Sequence, residues 1–262
     1  MGRLTDKVVI ITGASDGLGR VMASLFSAEG ASLVLAARRT TQLEETAQLV
    51  RDAGGTVASV TTDVTDEQQV VRMVDAAIDA FGRVDVMMNN AAQPGTDLHI
   101  WEQTLENWNA TIAIDVTAAM LCSREVLRRS MMDRRSGSIV NVSSTASWQG
   151  IPRKSHYGVA KAGLRTLTKV TAREVGPYGV RVNCLVPGGI MTDLLRRYWE
   201  RIAGEQGVTW QEIRDRGARE LALRRVATPE EVASAALFFA SDESSAITGQ
   251  SLTVDCGGYM QG

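Results

Sequence analysis

Seven short apolar runs punctuate the chain, separated by longer stretches in which apolar residues recur every three or four positions. The runs KVVIIT, SLVLAA, VASVTTD, VDVMMNN, SIVNVSS, VRVNCLV and SLTVD are rich in β-branched residues and almost continuously hydrophobic. They are too short for helices and match strands buried on both faces. Between them, GRVMASLFSAEG, TTQLEETAQLVRDAG, DEQQVVRMVDAAIDAFG and SREVLRRSMMDRR carry amphipathic helical spacing, and several end at glycine, as helix C-termini prefer. Strand alternating with helix predicts an α/β fold, a doubly wound parallel sheet of seven strands flanked by helices. No linker, repeat or low-complexity tract interrupts the rhythm, so residues 1–262 read as a single domain. One segment, MTDLLRRYWERIAGEQGVTWQEIRDRGARELALRR, departs from it and reads as one or two surface helices inserted between the sixth and seventh strands.

Composition narrows the classes without changing that picture. With 44% hydrophobic and 22% charged residues the chain has ordinary globular balance. A net charge of -2 gives no basic stripe for nucleic acid. No apolar run approaches the roughly 20 residues that span a bilayer, and the opening MGRLTDKVVIITG enters a strand at once, so neither a membrane segment nor a signal peptide is expected. Asp6 breaks the myristoylation pattern. Cys122, Cys184 and Cys256 are odd in number and far apart, and His99 and His156 are the only histidines beside them. The expectation is a reduced, cytoplasmic protein with no disulfide framework and no metal.

The chemistry concentrates in NVSSTASWQGIPRKSHYGVAK. Tyr157 and Lys161 are four residues apart and so share one face of a helix. Ser144, thirteen positions before the tyrosine, ends an apolar strand; Ser143 beside it points to the opposite face. A phenol keeps its proton up to about pH 10, and a nearby positive charge lowers that value. A phenol, an ammonium and a hydroxyl so grouped suit proton exchange with a carbonyl or alcohol oxygen. The second signal is TGASDGLG, which follows the first strand and opens the first helix. Gly13, Gly17 and Gly19 permit a tight turn and close approach of backbone N–H groups to a pyrophosphate at a helix N-terminus.

TGASDGLG, NNAA at 89–92, Ser144, YGVAK at 157–161, PGG at 187–189 and ITGQSLTVDCGG together resemble the short-chain dehydrogenase/reductase family over essentially the whole chain. The length and the G-x-x-x-G-x-G spacing are similar to its compact branch, including 3-oxoacyl-reductase-like members, and the four-residue tyrosine–lysine gap resembles its carbonyl reductases and not its enoyl reductases. The resemblance implies a Rossmann-type fold and hydride transfer between a nicotinamide cofactor and a ketone or secondary alcohol. It makes Tyr157 the general acid/base, Lys161 its partner and a ligand of the nicotinamide ribose, and Ser144 the residue that holds the substrate oxygen. The family asparagine on the helix after the fourth strand is Asp115 here, a departure that either leaves it a structural residue with the proton relay to Lys161 intact or adds negative charge beside that lysine.

The same resemblance implies cofactor contacts from Gly13, Ser15, Asp16, Gly17, Leu18 and Gly19, from Asp63 and Val64 at the adenine, from Asn90 and Ala91 at the ribose, and from Pro187, Gly188, Ile190 and Thr192 near the nicotinamide. The second strand ends in Ala37, Arg38 and Arg39, where family members that use NAD carry an acid. The two arginines suit the 2′-phosphate of NADP, and the alternative is a pair of solvated arginines and NAD. Residues 190–225 correspond to a helical lid over the substrate. Its Arg196, Arg197 and Arg201, interleaved with Glu200 and Glu205, read as a solvated face; Trp199 and Trp210 cover either a substrate or the sheet. His99, Trp101, Trp148, Gln149, Arg153 and His156 are pocket candidates, with His156 turned toward packing or surface. Family members commonly form homotetramers. The competing classes are an NAD-linked secondary-alcohol dehydrogenase and a non-catalytic nucleotide sensor.

Overall fold

The computed structural model describes residues 2–260; Met1, Gln261 and Gly262 of the expected domain lie outside the described residues. Seven strands form one parallel sheet: β1 (Val8–Thr12), β2 (Ser32–Ala37), β3 (Thr56–Thr61), β4 (Val86–Asn89), β5 (Gly137–Val142), β6 (Val180–Pro187) and β7 (Ser251–Val254). Their spatial order is β3-β2-β1-β4-β5-β6-β7. The order reverses direction between β1 and β4, which pair through Val9 with Val86 and Ile11 with Met88. At such a reversal the crossovers diverge to opposite faces and leave a crevice beyond the carboxyl ends of the strands.

Side-chain alternation explains the two-sided core. Val9 and Ile11 of β1, Leu33 and Leu35 of β2 and Leu185 of β6 face one layer, with α1 (Gly17–Ala28), α2 (Thr40–Asp52) and α10 (Pro229–Ala240). Ile10, Val34 and Val182 face the other, with α3 (Glu67–Phe81), α5 (Ala118–Val126) and α7 (Ser155–Val175). Large side chains such as Phe26, Met22 and Met73 are fully buried. Each contributes about 1.5–3 kcal/mol through removal from water.

Local signals set the helix limits. Asp66 accepts the N–H groups of Gln68 and Gln69 at the start of α3, and Gly82, at φ +78°, turns the chain at its end. The segment after β4 is one long helical run, not the separate short helix expected from SREVLRRSMMDRR. It comprises α4 (Leu105–Ile112), α5 and α6 (Met132–Arg134), joined by π turns at Ala113–Thr117 and Leu127–Met131. A π turn inserts a residue into the helical spacing, which a 3.6-residue period does not register. Residues inserted between β6 and β7 form α8 (Asp193–Gln206) and α9 (Trp210–Arg219), the latter opened by a reciprocal Thr209–Glu212 cap.

At the amino end of the sheet, Asp85 fastens three elements. Its carboxylate accepts the Val8 N–H at 2.8 Å, Arg83 Nε at 2.9 Å and Arg134 Nη2 at 2.8 Å. Burial works against its charge, but the Val8 N–H and the two guanidinium groups outweigh it and hold this carboxyl below the usual carboxylate range. A depressed folded-state value means that the contribution is fully present above the unfolded value near 4 and is lost as pH falls through the folded one. Asp85→Asn is therefore expected to lower unfolding free energy by about 2 kcal/mol at pH 7. Urea melts as a function of pH should show that difference narrowing below pH ~4; a difference independent of pH would refute the assignment.

Candidate active site

The glycine loop leaves β1 and passes into α1 at the switch point. Gly13 sits at φ +67°, in the left-handed region that favours glycine, and a Cβ there would stand 3.0 Å from Ala91 Cα and Asn90 Nδ2. A Cβ on Gly19 would lie 2.3 Å from the Gly13 carbonyl oxygen. Asn90 locks this approach from β4, with its Nδ2 donating to Thr12 O at 2.9 Å and to Gly13 O at 3.4 Å. The result is a cavity of about 400 Å³ whose walls include Gly13, Ser15, Asp16, Leu18 and Gly19. Arg38, Arg39, Asp63, Val64, Asn90 and Ala91 also line it, so most of the sequence-predicted cofactor residues share one space; Gly17 is not among its walls. A backbone cradle with no Cβ, at the N-terminus of α1, fits the pyrophosphate of a dinucleotide.

Charge in the cavity is already partly paired. Asp16 caps α1 by accepting the Gly17 N–H at 2.7 Å, and Arg39 Nη2 reaches its other oxygen at 3.4 Å and Ser15 Oγ at 3.1 Å. Burial opposes the charge on Asp16, but the Gly17 N–H and Arg39 prevail and hold its carboxyl below the ordinary value. Arg38 is exposed and has no carboxylate partner among the described residues. Asp63 turns one oxygen to Thr65, accepting its N–H at 3.0 Å and its hydroxyl at 2.7 Å.

Farther along the same edge stand the serine, tyrosine and lysine. Ser143 is buried, and its hydroxyl donates to the Lys161 carbonyl at 2.8 Å. Ser144 faces the other way, at the start of a 3-10 turn (Thr145–Ser147), where its Oγ accepts the Ala146 N–H at 3.2 Å. Helix α7 packs on that turn and carries both Tyr157 and Lys161. Lys161 Nζ donates to Val142 O at 3.1 Å, lies 5.5 Å from the centre of the Tyr157 ring, and stands 3.3 Å from Asp115 Oδ2. Side-chain exposures of 2% for Lys161 and 0% for Asp115 make this a buried ion pair. Asp115 Oδ1 accepts the Gln93 N–H at 2.9 Å.

Pro187 ends β6, and Gly188, whose N–H donates to Val254 O at 3.1 Å, leaves no room for a Cβ against Asp255. Ile190 bridges to Ala227, and the Thr192 hydroxyl accepts the Leu195 N–H at 3.4 Å as the cap of α8. None of these four lines that cavity. His156 is fully buried, with Nε2 at 3.0 Å from Pro94 O, so of the two expected alternatives it takes packing and not surface. Trp101 is exposed and stacked on His99, Trp199 is stacked on Trp210, and Trp148 lies between Arg165 and Tyr259.

Sequence reasoning missed three participants. Gln93 and Val142 act through backbone groups, so their side-chain identities carry no signal. Asn89 was legible within NNAA: its Nδ2 donates to Asn141 Oδ1 at 2.8 Å, and Asn141 Nδ2 donates to Thr168 Oγ1 at 2.9 Å, a polar ladder that ties β4, β5 and α7 beneath the site.

The chain matches the family model described as enoyl-(acyl carrier protein) reductase over residues 13–259. It is 36% identical to a short chain dehydrogenase/reductase of Aspergillus oryzae, over 97% of this chain and 95% of that protein. It is 38% identical to the cis-4-hydroxycyclohexanecarboxylate dehydrogenase of Sinomonas cyclohexanicum, over 97% and 96%. The crystal structure of levodione reductase superposes with a TM-score of 0.91 at 30% identity, covering 97% of each chain.

Gly19→Ala places a methyl group against a backbone carbonyl that Asn90 prevents from moving. Nucleotide affinity, measured by quenching of intrinsic tryptophan fluorescence, is expected to fall roughly tenfold or more with circular dichroism unchanged. Wild-type affinity in this variant would show that the cradle is not the phosphate site.

Proposed function

The chain belongs to the short-chain dehydrogenase/reductase family, and from that premise we propose that it moves a hydride between NADP(H) and a ketone or secondary alcohol. It is an NAD(P)-dependent oxidoreductase of CH–OH groups, which sets aside a purely sensory role. The observation that carries the reading is the Lys161 ammonium held 5.5 Å from the centre of the Tyr157 ring, one helical turn along α7. A fixed positive charge beside a phenol favours loss and recapture of its proton.

When bound, the nicotinamide supplies or accepts the hydride. The residues of this chain hold the oxygen and move the proton. In reduction, Ser144 donates a hydrogen bond to the carbonyl oxygen, and Tyr157 Oη gives its proton to that oxygen as the C–H bond forms. In oxidation the phenolate recovers the proton as the carbon–oxygen double bond is made. Lys161 would steady the phenolate and hold the ribose hydroxyls of the bound cofactor. Asp63, Val64, Asn90 and Ala91 would hold the adenosine half, and Pro187, Gly188, Ile190 and Thr192 would hold the nicotinamide half.

NADP is favoured because Asp16, the one acid in the loop, already accepts Gly17 and Arg39, which leaves Arg38 free to fork onto a 2′-phosphate. NAD is the alternative. Helices α8 and α9 serve as the lid of residues 190–225. Arg201 of α8 reaches Asp97 at 3.4 Å, and Lys154 and Arg201 stand over the Tyr198 ring, each at 5.2 Å. Exposed apolar side chains on α5, α7 and β7 (Met120, Val159, Val170 and Leu252) support a homotetramer. Three free cysteines, two of them buried, are consistent with a reducing cytoplasm.

A panel of ketones and secondary alcohols, read at the reduced-nicotinamide absorbance with each cofactor, tests the reaction directly. Tyr157→Phe is expected to retain nucleotide binding and lose turnover by roughly 10²–10⁴-fold; retention of a large share of wild-type kcat would defeat its role. For the cofactor, Arg38→Asp should move the ratio of kcat/KM values roughly tenfold or more toward NAD. An unmoved ratio would sink the choice of NADP.

A further inference from the structure

The pair formed by Asp115 and Lys161 has features that simple packing does not require. The carboxylate sits in the π turn at Ala113–Thr117, and such one-turn widenings of a helix are frequent where a side chain must be aimed at a functional site. Both of its oxygens are committed to the site. Oδ1 takes the Gln93 N–H at 2.9 Å, and Oδ2, which has no hydrogen-bond partner among the described residues, stands at ion-pair distance, 3.3 Å, from Lys161 Nζ. The ammonium is held on its other side by Val142 O at 3.1 Å, two residues before Ser144. It is thus fixed between β5 and the π turn, with the Tyr157 ring centre 5.5 Å away. An isolated ammonium buried to this degree is unfavourable, and a carboxylate at ion-pair distance compensates for it.

Resting on the proton-exchange role given to Tyr157, we infer that Asp115 is a positioning residue whose carboxylate fixes the Lys161 ammonium beside that tyrosine and, as its counter-charge, limits how strongly the ammonium draws the phenol's proton. The pair is close to neutral as a unit, so the phenolate feels a dipole where a lone ammonium would present a full charge. Burial alone would lower the value for Lys161, but Asp115 and Tyr157 outweigh it and the net direction is upward, which keeps the ammonium charged. Desolvation raises Asp115 more than Lys161 and the Gln93 N–H lower it.

Few other titratable groups surround the pair. His156 of α7 is near Asp115 but turns Nε2 to Pro94 O. Cys184 of β6 is near Lys161, and Cys122 shares a small recess with Asp115. Burial pushes these thiols up to about 11 and about 12, so both stay neutral across the working range.

The test is a pH titration of the near-ultraviolet tyrosinate band, with Tyr157 isolated by subtraction of the corresponding Tyr157→Phe protein, in wild type and in Asp115→Asn. The tyrosinate band of Tyr157 is expected to form at lower pH in Asp115→Asn than in wild type, because the Lys161 ammonium, still held by Val142 O, then lacks its counter-charge. Superimposable titrations overturn the inference, since a carboxylate that merely joins helices would alter thermal stability and leave this midpoint in place. An upward shift overturns it as well, because it would mean that the carboxylate's whole effect is to keep Lys161 protonated. If Asp115→Asn does not fold, Asp115→Glu, which keeps the charge and alters its aim, takes its place. A midpoint displaced from wild type in that variant supports the inference, and an unchanged one overturns it. Failure of the underlying reading looks different: Tyr157→Phe would then keep its turnover, whatever the titration showed.

Discussion

A single buried cation organises this protein's chemistry. The Lys161 ammonium is almost wholly removed from water, a placement that a folded chain tolerates only with hydrogen-bond acceptors and a counter-charge in fixed positions. Those requirements reach into three parts of the fold. The Val142 carbonyl must come from the end of β5, the Asp115 carboxylate from a widened turn of the helix after β4, and the lysine itself from α7. The Ser143 hydroxyl, bound to the Lys161 carbonyl, then secures α7 to the strand that delivers Ser144. The geometry of the candidate site and the packing of the core are here the same set of contacts.

The sheet supplies the rest by topology. Reversal of strand order between β1 and β4 opens the crevice, and the glycine loop occupies it because Gly13 and Gly19 let backbone approach backbone. Asn90, which follows β4, bonds back to the end of β1 there. The cavity at the glycine loop and the tyrosine–lysine pair consequently lie along one edge of one sheet.

Much of this was legible in the sequence, for identifiable reasons. The five inner strands announce themselves as apolar runs, because a parallel sheet covered on both faces admits little else, and the part-buried edge strands β3 and β7 show themselves through their Val and Thr residues. Tyr157 and Lys161 were readable because their spacing matches a helical turn, and Ser143 and Ser144 separate because strand side chains alternate. The π turns were not legible, since they arise where tertiary contacts override the local helical period. Gln93 and Val142 contribute a backbone N–H and a carbonyl that any residue could provide. The Asp16–Arg39 pair was hidden for a different reason: its members are distant in sequence, and only the fold brings the loop against the end of β2.

The π turn at Ala113–Thr117 makes the length of this helix as consequential as its composition. Each residue added to or removed from an α-helix rotates everything beyond it by about 100° around the axis. The widened turn stores one residue of slack, so α4 and α5 are held in a phase that neither would adopt in a regular helix joining them. Removing one residue within that turn would let the helix close into ordinary geometry and keep most of its packing, while the carboxylate swung away from the lysine. The segment is a phase setting, tuned by residue count: a one-residue deletion there would retune the electrostatics of the site without exchanging any side chain that touches the substrate.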